Sequence, residues 1–321
     1  MAHVTPPSLV ALDWGTSNLR ASLLDDGGAV LATRSAAAGV MAVQERRFAE
    51  TLMSLCGDWL SAHPTCACIA SGMVGSRQGW VEAPYVACPA GLDEAAAQLV
   101  RVAFGDGERH TLHIVPGLRC MGRDGQVDVM RGEETQLWGA GLPAGSCCVL
   151  PGTHSKWAWL GDGGQVLGFQ THMTGELYAL LTQYSILGRL MDLSAAAPPS
   201  APVHFDDGVR LGLQQHAHLL HTLFAARTAG LMGQRTAAEL PHFLSGLLVG
   251  AEVASALNGS SGRRDAPAAA AVTLLGDGAL CDRYARALAL AGRAVQRAPL
   301  DATTRGQWRV AMAAGLTTLT R

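Results

Sequence analysis

Two short segments of the chain place a Gly-Thr turn directly after an apolar run and follow it with polar side chains. The first, D-W-G-T-S-N, covers Asp13 to Asn18, and the second, G-T-H-S-K, covers Gly152 to Lys156. The N–H groups and hydroxyls of such turns bind phosphate oxygens, while a strand-end carboxylate holds Mg²⁺ through water. We therefore expect Asp13 to be a metal residue beside two phosphate loops. The expected phosphate contacts are Gly15, Thr16, Ser17 and Asn18 in the first loop and Gly152, Thr153, His154, Ser155 and Lys156 in the second.

Each loop has a simpler interpretation. A plain hairpin turn in which Asp13 caps local amides would use the same residues as the first loop. In the second loop, Lys156 would supply a charge to phosphate, and an exposed strand lysine is the equal alternative. The two copies also differ, because Leu150 and Pro151 stand where Asp13 and Trp14 stand in the first copy. Only the first loop therefore offers a carboxylate for a metal.

A third segment, D-V-M-R-G-E-E-T-Q, carries a candidate general base. It begins at Asp128, which we expect at the end of a strand, and continues through Arg131, Glu133 and Glu134. Phosphoryl transfer to a hydroxyl needs one carboxylate that orients the nucleophile and accepts its proton. Asp128 is the first candidate, with Arg131 and Glu133 as catalytic partners, and Glu133 or Glu134 is the next candidate base. Alternatively, the two glutamates only favour the N-terminus of the following helix.

The glycine-punctuated loop S-G-M-V-G-S-R-Q-G-W, from Ser71 to Trp80, is a candidate substrate site. Glycines allow close approach of a backbone, and an arginine fork suits a small carboxylate ligand. A solvated loop without a ligand is the alternative. The expected substrate contacts are Ser76, Arg77, Gln78 and Trp80.

A glycine pair near the C-terminal end lies between an expected strand and an expected helix. It consists of Gly276 and Gly278, separated by Asp277. A strand-to-helix turn of this kind offers backbone N–H groups to the phosphate or base of a nucleotide. One G-x-G pair is a short pattern, so the prediction of an adenosine contact depends on the other motifs.

Composition limits the classes of protein that fit this chain. Its 321 residues suffice for two domains, and 49% apolar with 16% charged residues predict well-packed cores. The formal net charge of −2 provides no general attraction to nucleic acid or acidic membranes. The eight cysteines fit neither a zinc site nor a disulfide framework. With no signal peptide or membrane-spanning run evident, we expect a cytoplasmic protein.

The repeated turns also predict the fold. Each copy consists of a strand, a Gly-Thr turn, a second strand, an Asp-Gly-Gly turn and a third strand. Helical and strand patterns follow both copies, which indicates a mixed sheet flanked by helices. We expect an α/β protein of two related domains, residues 1–140 with the first phosphate loop and 141–321 with the second.

These motifs together closely resemble the 2-dehydro-3-deoxygalactonokinase family. The resemblance rests on D-W-G-T-S-N-L-R, S-G-M-V-G-S-R-Q-G-W, D-V-M-R-G-E-E-T-Q and L-P-G-T-H-S-K-W, and extends from Ala11 to Leu316. Membership would place the chain among the actin, sugar kinase and Hsp70-like ATPases, whose two ribonuclease H-like domains surround a central ATP cleft. It implies ATP and Mg²⁺ as cofactors and a 2-keto-3-deoxy sugar acid phosphorylated at O6.

The resemblance leaves several alternatives open. The acceptor could be the gluconate-derived epimer instead of 2-dehydro-3-deoxy-D-galactonate. The chain could also be a non-catalytic sugar-acid sensor, or a phosphatase or ATPase in which water replaces the sugar hydroxyl. The expected partners are small molecules, with neither nucleic acid nor membrane, and a homodimer is left open.

Overall fold

The computed structural model of the protein describes residues 6–122, 125–259, 271–276 and 278–317. The chain separates into two units. The first contains residues 1–144, 159–168 and 299–321, and the second contains residues 145–158 and 169–298. The expected single boundary after residue 140 differs from this division, because residues 299–321 belong to the first unit.

Strands and helices alternate along most of the chain. The strands are β1 Pro7–Trp14, β2 Leu19–Asp25, β3 Val30–Ala36, β4 Ala67–Ser71, β5 Tyr85–Ala87, β6 Val100–Phe104, β7 His110–Ile114, β8 Gly117–Met121, β9 Val127–Met130, β10 Cys147–Leu150, β11 Ser155–Leu160, β12 Val166–His172, β13 Val272–Leu274 and β14 Val295–Arg297. The α-helices are α1 Phe48–Ala62, α2 Leu92–Ala96, α3 Glu133–Ala140, α4 Thr174–Tyr184, α5 Ala201–Gln215, α6 Leu219–Thr222, α7 Ala225–Leu231, α8 Leu240–Gly259, α9 Gly278–Leu290 and α10 Ala302–Ala313.

The first unit is built on a six-stranded sheet with the order β3-β2-β1-β4-β7-β6. β1 lies inside this sheet, antiparallel to β2 and parallel to β4. Its run Leu9 to Leu12 is buried throughout, as expected for a strand covered on both faces. The first unit also contains a second, three-stranded sheet with the order β5-β8-β9.

An aromatic cluster fills the core beside the end of β1. The Trp14 ring meets Phe48 of α1 edge-on at 5.6 Å and Trp80 at 6.3 Å. Trp80 also stacks on Phe48 at 5.9 Å and contacts Phe104 at 6.0 Å. Offset and edge-on contacts of this kind are the favourable arrangements of aromatic rings. They join the loop that ends at Trp80 to the strand that carries Asp13.

A five-stranded sheet with the order β12-β11-β10-β13-β14 forms the other meander-led sheet. β10, β13 and β14 are parallel neighbours. Both large sheets therefore open with three consecutive neighbouring strands, β1 to β3 and β10 to β12, as the repeat predicts. The expected mixed α/β class is confirmed.

Helices α5 and α8 of the second unit touch through their backbones. A Cβ added to Gly208 would lie 2.1 Å from the carbonyl oxygen of Phe243, and one on Gly246 would lie 2.0 Å from that of Phe205. Among the described residues, α8 is the one helix long and apolar enough to cross a membrane, and 83% of its apolar window is buried within the protein.

Helix α10 packs equally tightly against α3 in the first unit. A Cβ on Gly139 would lie 1.8 Å from the carbonyl oxygen of Ala302, and one on Gly306 would lie 1.8 Å from that of Thr135. No side chain fits between the two backbones at either point. This contact is the physical reason that the C-terminal segment belongs to the first unit.

Gly306→Ala is therefore expected to destabilise the protein. The added methyl group cannot occupy its position unless α10 moves away from α3, and overpacking of this kind costs about 1–3 kcal/mol. The measurement is the free energy of unfolding in urea. Gly57→Ala in α1 is the control, because its Cβ would meet only the flexible side chain of Met53. Equal stability of the two variants would contradict the tight packing.

Candidate active site

Asp13 lies near the end of β1, opposite Arg20 of β2 and Ser71 of β4. Its side chain is half-buried, and Arg20 Nη1 lies 3.9 Å from Asp13 Oδ2. Burial raises the pKa of Asp13, and the charge of Arg20 partly opposes this change. The described residues contain no group of three or more acidic, histidine or cysteine side chains able to hold a metal. A cation at Asp13 would therefore keep most of its ligands as water or phosphate oxygens.

The loop after β1 turns its carbonyl groups toward the protein. Gly15 O accepts from Val40 N–H, Thr16 O from Met41 N–H, and Ser17 O from Gly39 N–H, at 3.0–3.2 Å. Thr16, Ser17 and Asn18 are exposed, and within the described ranges their N–H groups donate to no backbone carbonyl. The carbonyl oxygens of the loop are thus occupied, while the N–H groups of residues 16–18 are still available as hydrogen-bond donors. An anion requires such an arrangement. These N–H groups can take phosphate oxygens.

Gly39 is required for this arrangement, although no motif pointed to it. A Cβ on Gly39 would lie 2.3 Å from Thr16 O and 2.4 Å from Ser17 N. The segment around Gly39 therefore lies directly against the first loop with no side chain between them. In the sequence Gly39 follows three alanines, and nothing there distinguishes it from any other loop glycine.

Gln307 of α10 fixes the strand ends beneath the same loop. Its side-chain Nε2 donates to Leu12 O at 2.6 Å and to Ser71 Oγ at 2.9 Å. Both Gln307 and Ser71 are buried. The Gln307 amide therefore joins β1, at the residue before Asp13, to β4, at the residue that pairs with Asp13. Sequence reasoning missed Gln307, because a single glutamine in an amphipathic helix gives no signal.

Two glycines bring the third motif to these strand ends. Gly72 follows β4 with φ = 93°, and a Cβ there would lie 2.9 Å from Trp14 O. Gly132 has φ = 107°, and its Cβ would lie 3.2 Å from Gly72 Cα. Both positions lie in the region that favours glycine. The backbone at Gly132, where this segment leads into α3, therefore lies beside the end of β1.

The three acidic residues of this segment have different surroundings. Asp128 is half-buried on β9, and its Oδ1 accepts from Val129 N–H at 2.8 Å. Glu133 Oε2 accepts from Arg131 N–H at 3.1 Å. Glu134 is fully buried, and its oxygens accept from Gly132 N–H at 2.7 Å and from the Thr135 hydroxyl at 3.0 Å.

Burial, with a smaller contribution from the charge of Glu133, raises the pKa of Glu134 to about 8. Glu134 is therefore protonated at neutral pH and already occupied by hydrogen bonds, so it is a poor general base. Asp128 and Glu133 stay as the candidates. The alternative was that the glutamates stabilise the N-terminus of the following helix. Glu134 fits this alternative, because it lies in the first turn of α3 and accepts from Gly132 N–H.

The predicted substrate loop folds back on itself. Trp80 N–H donates to Val74 O at 2.8 Å, and Ser76 is buried with its Oγ 3.5 Å from Gln78 Oε1. Arg77 is exposed, with 84% of its side chain accessible, and its Nε lies 3.6 Å from Glu82 Oε2.

Two arginines from outside the predicted substrate loop hold its end. Arg46 Nη2 donates to the carbonyl oxygens of Gly79 and Trp80, both at 2.8 Å. Arg131 Nη2 donates to Ala83 O at 2.7 Å. Arg131 was expected from its motif, whereas Arg46 was not, because its contact partners lie more than thirty residues away in the chain.

In the second unit, only part of the loop at residues 152–156 is exposed to solvent. Thr153 and His154 are exposed, whereas Ser155 and Lys156 are buried at the start of β11. Lys156 Nζ donates to His154 O at 2.8 Å. The alternative of an exposed strand lysine is therefore wrong. His154 Nε2 also makes a short contact with Glu176 Oε2 of α4.

Helix α4 holds this second loop from one side. Glu176 N–H donates to Thr153 O at 3.0 Å. A Cβ on Gly175 would lie 2.4 Å from Gly152 O, so the backbone of the helix start touches the loop. The first turn of α4 therefore fixes the path of residues 152 and 153.

A buried polar network that the sequence did not reveal lies around Ser155. Glu252 of α8 accepts from Trp157 Nε1 at 2.8 Å and from Tyr284 Oη at 2.6 Å. Tyr284 Oη lies 3.4 Å from Ser155 Oγ, which itself donates to His172 O at 3.3 Å. Burial and the neighbouring Glu252 carboxylate raise the pKa of Tyr284 well above its usual range.

The glycine pair predicted for adenosine lies at the same sheet edge as the second loop. β13 is parallel to β10, so the turns after both strands leave at one edge. Gly276 has φ = 119°, and Gly278 opens α9 with φ = 69°. Both backbones therefore need glycine. Asp277 lies outside the described residues.

The two meander-led sheets agree with the mixed α/β fold that the repeated turns predicted. Residues 13–310 match the model of the family described as 2-keto-3-deoxy-galactonokinase. The chain belongs to this family. The match includes all four motifs from which the resemblance was inferred.

Named relatives agree with the family. A protein of Rhizobium meliloti (strain 1021) named "Probable 2-dehydro-3-deoxygalactonokinase DgoK1" is 39% identical over 310 residues, which cover 93% of this chain and 97% of the relative. The 2-dehydro-3-deoxygalactonokinase of Escherichia coli (strain K12) is 39% identical over 286 residues, 88% and 90% of the two chains. A crystal structure from Sinorhizobium meliloti that carries the same enzyme name matches with a TM-score of 0.81 at 37% identity, covering 95% and 98%.

The raised pKa of Glu134 predicts a pH-dependent stability. The folded protein keeps the Glu134 proton up to about pH 8, whereas the unfolded chain loses it near the ordinary value of 4.5. The stabilisation is complete below pH 4.5 and is lost as the pH rises to 8. In Glu134→Gln the amide oxygen can still accept from Gly132 N–H and the amide nitrogen can donate to the Thr135 hydroxyl oxygen, and the side chain no longer ionises. It should remove this loss and stabilise the protein at pH 8 by about 2–5 kcal/mol.

Urea unfolding at several pH values between 5 and 9 measures this effect. Asp106→Asn is the control, because Asp106 lies at an exposed turn and does not contribute to the raised pKa of Glu134. A Glu134→Gln variant whose stability falls with pH as steeply as that of the wild type would refute the raised pKa.

Proposed function

We propose that this protein transfers the γ-phosphate of ATP to O6 of 2-dehydro-3-deoxy-D-galactonate, a step of D-galactonate breakdown. The observation that carries the proposal is the first loop, whose N–H groups at Thr16, Ser17 and Asn18 face outward beside the Asp13 carboxylate. Family membership over residues 13–310 supplies the substrate class. The curated relatives that share 39% identity are named for the same activity.

In this proposal Asp128 is the general base. The lone pair of O6 attacks the γ-phosphorus, the bond from that phosphorus to the β,γ-bridging oxygen breaks, and the O6 proton moves to Asp128. ADP leaves with the electron pair of the broken bond. Asp128 suits this role because it is half-buried and ionisable, whereas Glu134 is fully buried and protonated at neutral pH.

The loops and a divalent cation would stabilise the transferring phosphate. Asp13 fits Mg²⁺, because it is a partly accessible carboxylate at a strand end with one distant arginine as its ion-pair partner. Bound there, Mg²⁺ would neutralise charge on the phosphates. In the first unit, the N–H groups of the first loop would bind phosphate oxygens. In the second unit, taken by itself, the exposed Thr153 and His154 are suited to phosphate oxygens, and the turn at Gly276 and Gly278 to adenosine.

We also propose that the enzyme works in the cytoplasm on small molecules alone. All eight cysteines are free thiols, and five of them are buried. Thiols of this kind persist in a reducing compartment. The small net charge of −2 supports the absence of a nucleic-acid partner.

A panel of acceptors tests the reaction. ADP release is measured with ATP and Mg²⁺ alone, with the galactonate-derived keto-deoxy acid and with its gluconate-derived epimer. We expect release that depends on the acceptor and is faster with the galactonate-derived acid, and a product phosphorylated at O6 by NMR. Release without an acceptor would indicate an ATPase, no release a sensor, and faster release with the other epimer a gluconate-type kinase.

Asp128→Asn tests the base. The amide keeps the size of the side chain but cannot accept the O6 proton, so kcat should fall by about 10²–10⁴-fold with little change in the KM for ATP. Asp106→Asn, at an exposed turn of the same unit, is the control. A kcat of Asp128→Asn near that of the wild type would show that the base lies elsewhere, with Glu133 as the next candidate.

A further inference from the structure

Arg131 is a buried cation, and two of its three guanidinium nitrogens have no hydrogen-bond partner among the described residues. Arg131 directly follows β9 in the chain and is only 9% exposed. Nη2 donates to Ala83 O, while Nε and Nη1 are buried and have no hydrogen-bond partner. Neither of these two nitrogens has a carboxylate oxygen of the described residues as a hydrogen-bond partner. A buried cation without a counter-ion is costly, so a missing anion is the simplest explanation.

The two nearest acids in the sequence do not provide that anion. Glu133 accepts from the backbone N–H of Arg131, and Glu134 accepts from the backbone N–H of Gly132 and from the Thr135 hydroxyl. Glu134 is in addition protonated at neutral pH because burial raises its pKa. Both side chains therefore accept hydrogen bonds from backbone N–H groups at the start of α3.

The surroundings of Arg131 orient it and pack closely around it. Its guanidinium carbon lies 4.4 Å from the centre of the Tyr85 ring, which holds one face of the planar group. Gly117 allows this ring position, because a Cβ there would lie 2.7 Å from Tyr85 Cδ1. Gly75 likewise allows the position of the guanidinium edge, because a Cβ added there would lie 2.9 Å from Arg131 Nη1. Two glycines and one ring thus shape the space around the guanidinium.

We propose that Arg131 binds the carboxylate of the sugar acid. This inference rests on the proposed function, which supplies an acceptor with a carboxylate at C1 and the reacting hydroxyl at C6. A charge-assisted hydrogen bond from Nε or Nη1 satisfies an unpartnered donor and neutralises the buried charge in one step. Arg131 would in this way hold the acid by its carboxylate.

The alternative anchor is Arg77, which the sequence favoured. Arg77 is exposed and already lies near Glu82, so a carboxylate would gain little there from a screened surface charge. Arg131 offers a desolvated, oriented guanidinium with free donors instead. The acid would therefore be distinguished from neutral sugars at Arg131.

The experiment compares the keto-deoxy acid with its neutral primary amide. Wild-type enzyme should prefer the acid in kcat/KM by about 100-fold, a typical effect of a buried charge-assisted bond. Arg131→Met should reduce this preference to near unity by lowering the rate with the acid alone, and Arg131→Lys should restore it in part. Arg119→Met, at an exposed arginine of the neighbouring strand β8, is the matched control and should keep the preference.

Three results would overturn the proposal. The rates with acid and amide could fall equally in Arg131→Met, which is the sign of a structural role. The preference could be lost in Arg77→Met instead. The KM for ATP could rise while the preference stays, which would assign Arg131 to a phosphate.

Calorimetric titration of the acid into wild-type and Arg131→Met protein without ATP separates the site from the reaction. Weaker binding only to the variant supports the carboxylate site even if turnover fails. Equal binding to both proteins overturns it.

Discussion

Direct contact between two backbones is the constraint on which the candidate site depends. Gly39 lies against the first phosphate loop, Gly72 against the end of β1, and Gly132 against Gly72. The contacts of Gly39 and Gly72 leave no room for a methyl group, and that of Gly132 is nearly as tight, so the loop, the strand end and the start of α3 are held together by direct backbone contact. Rigid placement of this kind keeps donors ready for a charged ligand and avoids the entropy cost of ordering them at each turnover.

The repeated hairpin has diverged in chemistry while its topology stayed the same. In the first copy the turn follows the Asp13 carboxylate and exposes consecutive N–H groups. In the second copy Leu150 occupies the equivalent position, and Ser155 and Lys156 point into the unit. The buried carboxylate of Glu252 supports that second strand through Trp157 and Tyr284. The first copy therefore exposes a carboxylate and backbone N–H groups. In the second copy, Ser155 and Lys156 are buried and stabilise the unit.

The motifs that were predictable from sequence are those whose chemistry is local. Asp13, the Gly-Thr turns and the strand pattern of each meander need only neighbours within a few residues, and the α/β class followed from them. Gly39, Arg46 and Gln307 were not predictable, because their roles depend on partners far away in the chain. The same limit applies to Arg131, whose motif was visible but whose unpartnered guanidinium appears only when the packing around Tyr85 is known.

The bond between Gln307 and Leu12 also orders events during protein synthesis. These residues are separated by 295 positions, so the ribosome completes β1 long before it adds the amide that joins β1 to β4. A nascent chain can pair its early strands, but the strand end carrying Asp13 has no α10 amide to hold it until Gln307 has emerged from the exit tunnel. The strand ends on which the first loop is mounted are therefore joined by this amide only near the end of translation.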